Sequence, residues 1–188
     1  VFKPSEVTPL TGLKIEELCK EAGLPLNIVQ TVLGDGKIGA SLIDQEPAKI
    51  FFTGSVATGK KIFEKASQLF IPVNLELGGK DALIVLPDAD LDFASSAALW
   101  GGFANSGQMC SSTERLLVHE NIYAPFMEQL KSKIKQLRQA SSASANGHQA
   151  PEGISSPSPH VHYDLGFITH EKQKQIYIYT YIYIHIAM

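Results

Sequence analysis

The chain has 188 residues, 44% of them apolar and 19% charged, with a formal net charge of −3 at neutral pH. That is ordinary soluble composition for one substantial domain or two small ones, and its 16 scattered Lys plus Arg form no basic footprint for nucleic acid or an anionic membrane. The two cysteines have no metal-ligand spacing and point to free thiols in a reducing compartment, and no apolar run is long enough to span a bilayer.

The chain opens on Val1-Phe2-Lys3-Pro4, without an initiator Met or a basic-then-apolar signal, and so reads as entered mid-domain. Cytoplasmic placement is the default, with any targeting segment upstream. Pro4, Pro9 and Thr11-Gly12 punctuate the entry to a predicted amphipathic helix that runs to about Ala22 and stops at Gly23-Leu24-Pro25. Ile15, Leu18, Cys19 and Ala22 share one face of it and are expected in the core. The β-rich run from Asn27 to Leu33 predicts a strand, and Gly34-Asp35-Gly36-Lys37-Ile38-Gly39 then opens a short helix carrying Leu42 and Ile43. Gly34, Gly36 and Gly39 have the G-x-G-x-x-G spacing of a dinucleotide-binding turn, but no acidic residue ends a strand about twenty positions on. A plain tight turn feeding a helix accounts for them equally well.

Lys49 to Thr53 is a second predicted strand, followed by Gly54-Ser55 and a helix reaching about Phe70. A strand, a glycine-marked turn and a helix N-terminus form a natural anion site, because free N–H groups and the helix dipole converge there. The Gly-Lys-Ser/Thr of a P-loop is absent. In this helix Ile62, Phe63, Ala66 and Leu69 should face inward and Lys60, Lys61, Lys65 and Gln68 outward. Ile71 to Leu77 predicts a third strand, Gly78-Gly79 a hinge, and Lys80 to Leu86 a buried strand opening a second lobe. Asp88-Ala89-Asp90 caps a helix through Phe93, Ala97, Ala98 and Trp100. Arg115 to His119 is the next strand, with His119 expected at the surface, and Ile122 to Arg138 a helix with Phe126, Leu130, Ile134 and Leu137 as its stripe. The whole alternation is that of a doubly wound α/β architecture.

Two chemically capable residues lie 34 positions apart, so any meeting is tertiary: Glu76, at the end of an apolar strand, and Cys110, in the loop Gly107-Gln108-Met109-Cys110-Ser111-Ser112. A thiol nucleophile with a separate carboxylate base is the pairing that covalent carbonyl chemistry requires. A thiol near helix ends meets neighbouring N–H groups that favour the thiolate, and a carboxylate held partly out of water is a better base. Taken singly, Cys110 would read as a small buried hydrophobe and Glu76 as a solvated strand end.

Together, Leu75-Glu76-Leu77-Gly78-Gly79-Lys80 and Gly107-Gln108-Met109-Cys110 resemble the glutamate and cysteine boxes of the aldehyde dehydrogenase superfamily, in the family's order. The resemblance implies a Rossmann-like cofactor-binding part followed by the start of an α/β catalytic domain, and oxidation of an aldehyde to a carboxylic acid. Cys110 would be the nucleophile, Glu76 the base and the Cys110 N–H an oxyanion donor. Lys3-Pro4-Ser5-Glu6 resembles the segment that holds the adenosine ribose, which assigns Lys3, Ser5 and Glu6 to the cofactor. Gly36, in the glycine-bearing helix, would flank the adenine. Gly54 and Ser55 would meet the pyrophosphate, and Leu77 completes the expected cofactor set. The cofactor is NAD or NADP, with NAD favoured because Glu6 would repel a 2′-phosphate. No metal is implied; full-length relatives are expected to be homo-oligomers.

The resemblance spans residues 1 to about 139 and, faintly, 164 to 175. It divides the chain into 1–77, the later part of a cofactor domain; 78–139, the first part of a catalytic domain; 140–163, a Ser/Pro-rich disordered insertion; and 164–188, a faint family match followed by an Ile/Tyr-rich tail. That tail alternates as a strand does, yet translation of a simple AT-rich repeat would give the same run, which is the favoured reading. The family's oxyanion asparagine and its Glu-x-Phe ribose clamp are not among these residues, so weak activity or none is expected of the 188 residues. Two alternatives stay open: a CoA-acylating relative, distinguished by products with and without CoA, and a non-catalytic remnant.

Overall fold

The computed structural model describes residues 1–139, 164–166, 168 and 171, and the backbone of 183–187. The insertion read at 140–163 and the Ile/Tyr run up to residue 182 lie outside the described residues. The chain divides into two compact units, Val1–Leu77 and Gly78–Met188. Both are α/β with parallel strand pairs.

In the first unit, helix α1 (Pro9–Glu21) starts with proline at a position where its missing N–H costs nothing. It packs closely at Gly12, where a Cβ would sit 2.5 Å from Pro4 Cβ, so only glycine admits the proline ring. The core expected along Ile15, Leu18 and Cys19 is not formed. Ile15 is 43% and Leu18 51% exposed, and Cys19 is half-buried. The predicted strand at 27–33 is likewise absent, reduced to one parallel bridge between Phe2 and Thr31. Its β-branched residues suit a strand, but Phe2 supplies only two backbone bonds, Phe2 N–H to Gln30 O (2.7 Å) and Val32 N–H to Phe2 O (2.9 Å).

Helix α2 (Gly36–Ile43) is capped by Asp35, whose carboxylate accepts from Lys37 N–H at 2.9 Å. Strand β1 (Ile50–Gly54) pairs in parallel with β2 (Val73–Leu77), and helix α3 (Val56–Gln68) makes the crossover between them. Ile43, Ala66 and Ile71 form the buried centre, with Ile50, Ile62 and Val73 packed around it. Parallel partners share a face, so Phe51, Thr53, Asn74 and Glu76 all stand on the opposite, exposed face. The inward placement expected of Phe63 and Leu69 does not hold, since they are 56% and 37% exposed. The contact line of α3 is Gly59–Ile62–Ala66, and Phe63 lies about 70° round the helix from the middle of that line.

In the second unit, β3 (Asp81–Val85), β4 (Thr113–His119) and β5 (Tyr183–Ala187) form a parallel sheet with β4 in the middle. Helices α4 (Leu91–Phe103) and α5 (Glu120–Ile134) cover one face. Val85, Ala94, Ala98, Leu116, Val118, Phe126 and Leu130 make its core. Phe126 is fully buried, which contributes about 1.5–3 kcal/mol by area removed from water. Asp90 caps α4 by accepting from Phe93 N–H at 3.0 Å. Lys133 ties the helices together, donating to Asp92 O at 2.6 Å, Asp92 Oδ1 at 2.7 Å and Ser96 Oγ at 2.6 Å. His119 has a structural task, its Nδ1 capping α5 through Asn121 N–H at 3.3 Å. Among the described residues no helix is long and apolar enough to cross a membrane, and no group of three or more His, Cys, Asp or Glu could hold a metal.

Candidate active site

The thiol loop begins where α4 stops. Asn105, Ser106 and Gly107 follow with φ of 51°, 58° and 73°. Three left-handed residues in succession reverse the chain sharply, and the two that carry a Cβ each cost about 1–2 kcal/mol. Local bonds hold the turn. Asn105 Nδ2 donates to Gln108 O at 3.2 Å, and Gln108 Nε2 donates back to Asn105 O at 3.1 Å. Beyond the thiol, Ser112 is only 3% exposed; its Oγ donates to Gly107 O at 3.1 Å and its N–H to Met109 O at 3.2 Å. Between these fixed points Cys110 stands exposed as a free thiol, and its N–H donates to no other described residue.

Glycines let neighbouring groups close in. A Cβ at Gly101 would meet Thr113 Oγ1 at 2.5 Å, and one at Gly79 would meet Asp81 Oδ1 at 2.6 Å and the Cys110 carbonyl at 3.4 Å. The register slips beside the loop: Asp81 pairs with Thr113 but Ala82 with Arg115, leaving Glu114 as a bulge residue. Glu114 pairs with Lys80, and Arg115 Nε donates to Lys80 O at 2.7 Å. Asn105, Ser106, Ser112 and this Lys80–Glu114–Arg115 knot are not apparent from the sequence alone. The Gly101-Gly102 pair and the Ser111-Ser112 run are the only hints that the backbone is crowded here.

In the first unit, Lys3 is folded under α2. Its Nζ donates to Pro4 O and Gly34 O, each at 2.8 Å, and lies 3.9 Å from Glu6 Oε2. Gly39 is close enough that a Cβ would touch Lys3 Cε at 3.6 Å, whereas one at Gly36 would meet nothing. Lys3, Glu6 and the Gly34–Gly39 turn are thereby brought together. Ser5 is exposed beside them, its Oγ accepting from Val7 N–H at 3.4 Å. Ser55 is the N-cap of α3 and accepts from Thr58 N–H at 3.2 Å, with Gly54 before it. Leu77 packs over the same helix: a Cβ at Gly59 would come within 2.7 Å of Leu77 Cδ2. Glu76 is exposed on the bare face of the β1–β2 sheet, opposite Thr53 in register, so the partial burial expected of a general base is not found. Glu76 and Cys110 belong to different units.

The sequence profile of the aldehyde dehydrogenase family matches residues 1–152. The 4,4'-diapolycopene aldehyde oxidase of Methylomonas is 47% identical over 138 residues, covering 73% of this chain and 26% of that protein. Among solved structures, betaine aldehyde dehydrogenase from Staphylococcus aureus, in complex with NAD+, superposes with a TM-score of 0.75 at 32% identity, over 92% of this chain and 32% of that one. An E. coli NADP dependent enzyme superposes with a TM-score of 0.71 at 36% identity, over 74% of this chain and 30% of that one. The chain therefore spans between a quarter and a third of the length of these proteins. A profile match over 152 of its 188 residues and a shared parallel α/β fold make the chain a member of the aldehyde dehydrogenase family.

Proposed function

We propose that the chain carries the reacting thiol, the hydrolytic base and part of the cofactor cradle of an NAD(P)-dependent aldehyde dehydrogenase. The observation that carries this reading is the presentation of Cys110: an exposed thiol at the end of a locked left-handed turn, its own N–H without a partner among the described residues. Cys110 Sγ, as thiolate, adds to the aldehyde carbon, and the Cys110 N–H donates to the oxygen that becomes charged. A nicotinamide cofactor, when bound, would supply the acceptor for the hydride that the Cys110 hemithioacetal must lose to become a thioester. The Cys110 thioester left behind is attacked by water, Glu76 takes the water's proton, and collapse releases the carboxylate and regenerates the thiolate. Glu76 is exposed, so its carboxylate is open to solvent water.

Several residues of the first unit fit the cofactor. Glu6 has a carboxylate 3.9 Å from Lys3 Nζ, suited to two vicinal ribose hydroxyls and unsuited to a 2′-phosphate, which favours NAD. Gly36 leaves open space for a flat base at the start of α2. Gly54 and Ser55 lead into the N-terminus of the 13-residue α3, where unpaired N–H groups and the helix dipole favour a pyrophosphate. Ser5 lies beside the ribose-binding pair, and Leu77 closes the cradle over Gly59.

The test is aldehyde-dependent reduction of NAD+ followed under single-turnover conditions, so that slow chemistry registers. Cys110→Ser should abolish it. Glu76→Gln should preserve the first burst of NADH and slow the following hydrolysis by roughly 10²–10⁴-fold. Oxidation at parental rate by Cys110→Ser would overturn the assignment.

A further inference from the structure

We infer that Arg138 and Asp164 are positioning residues for the Cys110 loop, acting through Gly166 and Ser106. The inference rests on the reading of Cys110 as the nucleophile, but its geometry lies wholly within the second unit. Ser106, at φ 58°, is the middle residue of the left-handed run, and neither the Asn105–Gln108 bonds nor the Ser112 bonds involve it. Its hydroxyl donates instead to Gly166 O at 3.0 Å, a contact across 60 residues of sequence. A hydroxyl acting on a distant carbonyl can hold a strained turn only if that carbonyl is itself fixed.

The fixing is done two residues earlier. Arg138 and Asp164 form a two-pronged pair, Nε to Oδ2 and Nη2 to Oδ1, both at 3.0 Å. Arg138 N–H donates to Asp164 Oδ2 at 2.9 Å, while Asp164 N–H and Leu165 N–H return to Arg138 O at 2.9 and 3.2 Å. Gln139 bridges Leu165 beside them. Five hydrogen bonds to Arg138, three through the Asp164 carboxylate and two through the backbone N–H groups of Asp164 and Leu165, thus fix residues 164–165, and Gly166 is the next residue. The planar guanidinium is what allows the paired geometry, and a lysine could not reproduce it. The order of action is Arg138 to Asp164, to the Gly166 carbonyl, to Ser106, to the turn that presents Cys110.

The experiment is the pH profile of Cys110 alkylation by iodoacetamide in the full chain, with Cys19 of the other unit as internal reference and each site read by peptide mass. Asp164→Ala, Arg138→Lys and Ser106→Ala should each change the Cys110 rate by about threefold or more and displace its profile, leaving Cys19 as in the parent. Asp164→Asn, which keeps an acceptor without the charge, should fall between. Ser106→Ala removes one hydroxyl outside the core and so stays informative if an Asp164 variant fails to fold. A Cys110 profile unchanged in Ser106→Ala, or Cys110 and Cys19 shifting together in every variant, would overturn the inference. That outcome is separable from failure of the proposed chemistry, which would appear as unimpaired oxidation by Cys110→Ser.

Discussion

Glu6 and Lys3 form an ion pair of 3.9 Å whose Glu6 end is largely in solvent, so the pair itself adds little stability. Lys3 is instead fixed by two carbonyls, which leaves the Glu6 carboxylate free to choose a ligand. Removing its charge should relax discrimination against a 2′-phosphate. Glu6→Gln is expected to improve NADP binding relative to NAD by roughly tenfold, about the worth of one charge-assisted contact; titration with both nucleotides checks this, and an unchanged ratio would detach Glu6 from the ribose. At this scale the sequence was partly legible. The residue types at 3, 6, 55, 76 and 110 suggest a chemistry, but a positive φ does not announce itself. Asn105 tolerates the left-handed region through its short amide, whereas Ser106 gives no such sign, because its reason is a carbonyl 60 residues away.

Between elements, the decisive residues are helical glycines. Gly12, Gly36 and Gly59 look alike in sequence, each costing up to about 1 kcal/mol of helix propensity relative to alanine. Their surroundings separate them. At Gly12 a Cβ would lie 2.5 Å from Pro4, and at Gly59 2.7 Å from Leu77, distances at which something must move; at Gly36 it would meet nothing. Overpacking costs about 1–3 kcal/mol and so outweighs the propensity gain at the first two positions but not the third. Gly12→Ala and Gly59→Ala should therefore lower the thermal midpoint and Gly36→Ala raise it. A rise in all three would mean that these contacts relax freely. Caps were readable where the residue type is diagnostic, as Asp90 shows, because a cap is a local bond. Burial was less so. The apolar runs at Ile15–Leu18 and Asn27–Leu33 have suitable periodicity or composition, yet an element's period states what it is able to bury and not whether a partner lies against it.

For the molecule as a whole, Glu16 in the first unit and Asp164 in the second are described carboxylates held well below their usual range. Glu16 is lowered to about 2 by its bonds from Lys20 and then from Thr31 N–H, and Asp164 to about 2 by Arg138. Both folded values lie under the unfolded carboxylate range near about 4, so the stability they contribute is fully present above about pH 4 and is lost as pH falls toward about 2. Denaturant midpoints should fall across that window and stay level above it. Glu16→Gln should reduce the acid loss assigned to the first unit without touching the second, and an identical acid profile would show that the Lys20–Glu16–Thr31 link carries no net stability. The family-level chemistry meets its most direct test in the Glu76→Gln chain, mixed with an aldehyde and NAD+, quenched in acid and mapped by peptide mass. An acyl group is expected on the Cys110 peptide, dependent on NAD+ and absent from Cys19. An acyl group that forms without NAD+, or none on Cys110, would contradict it.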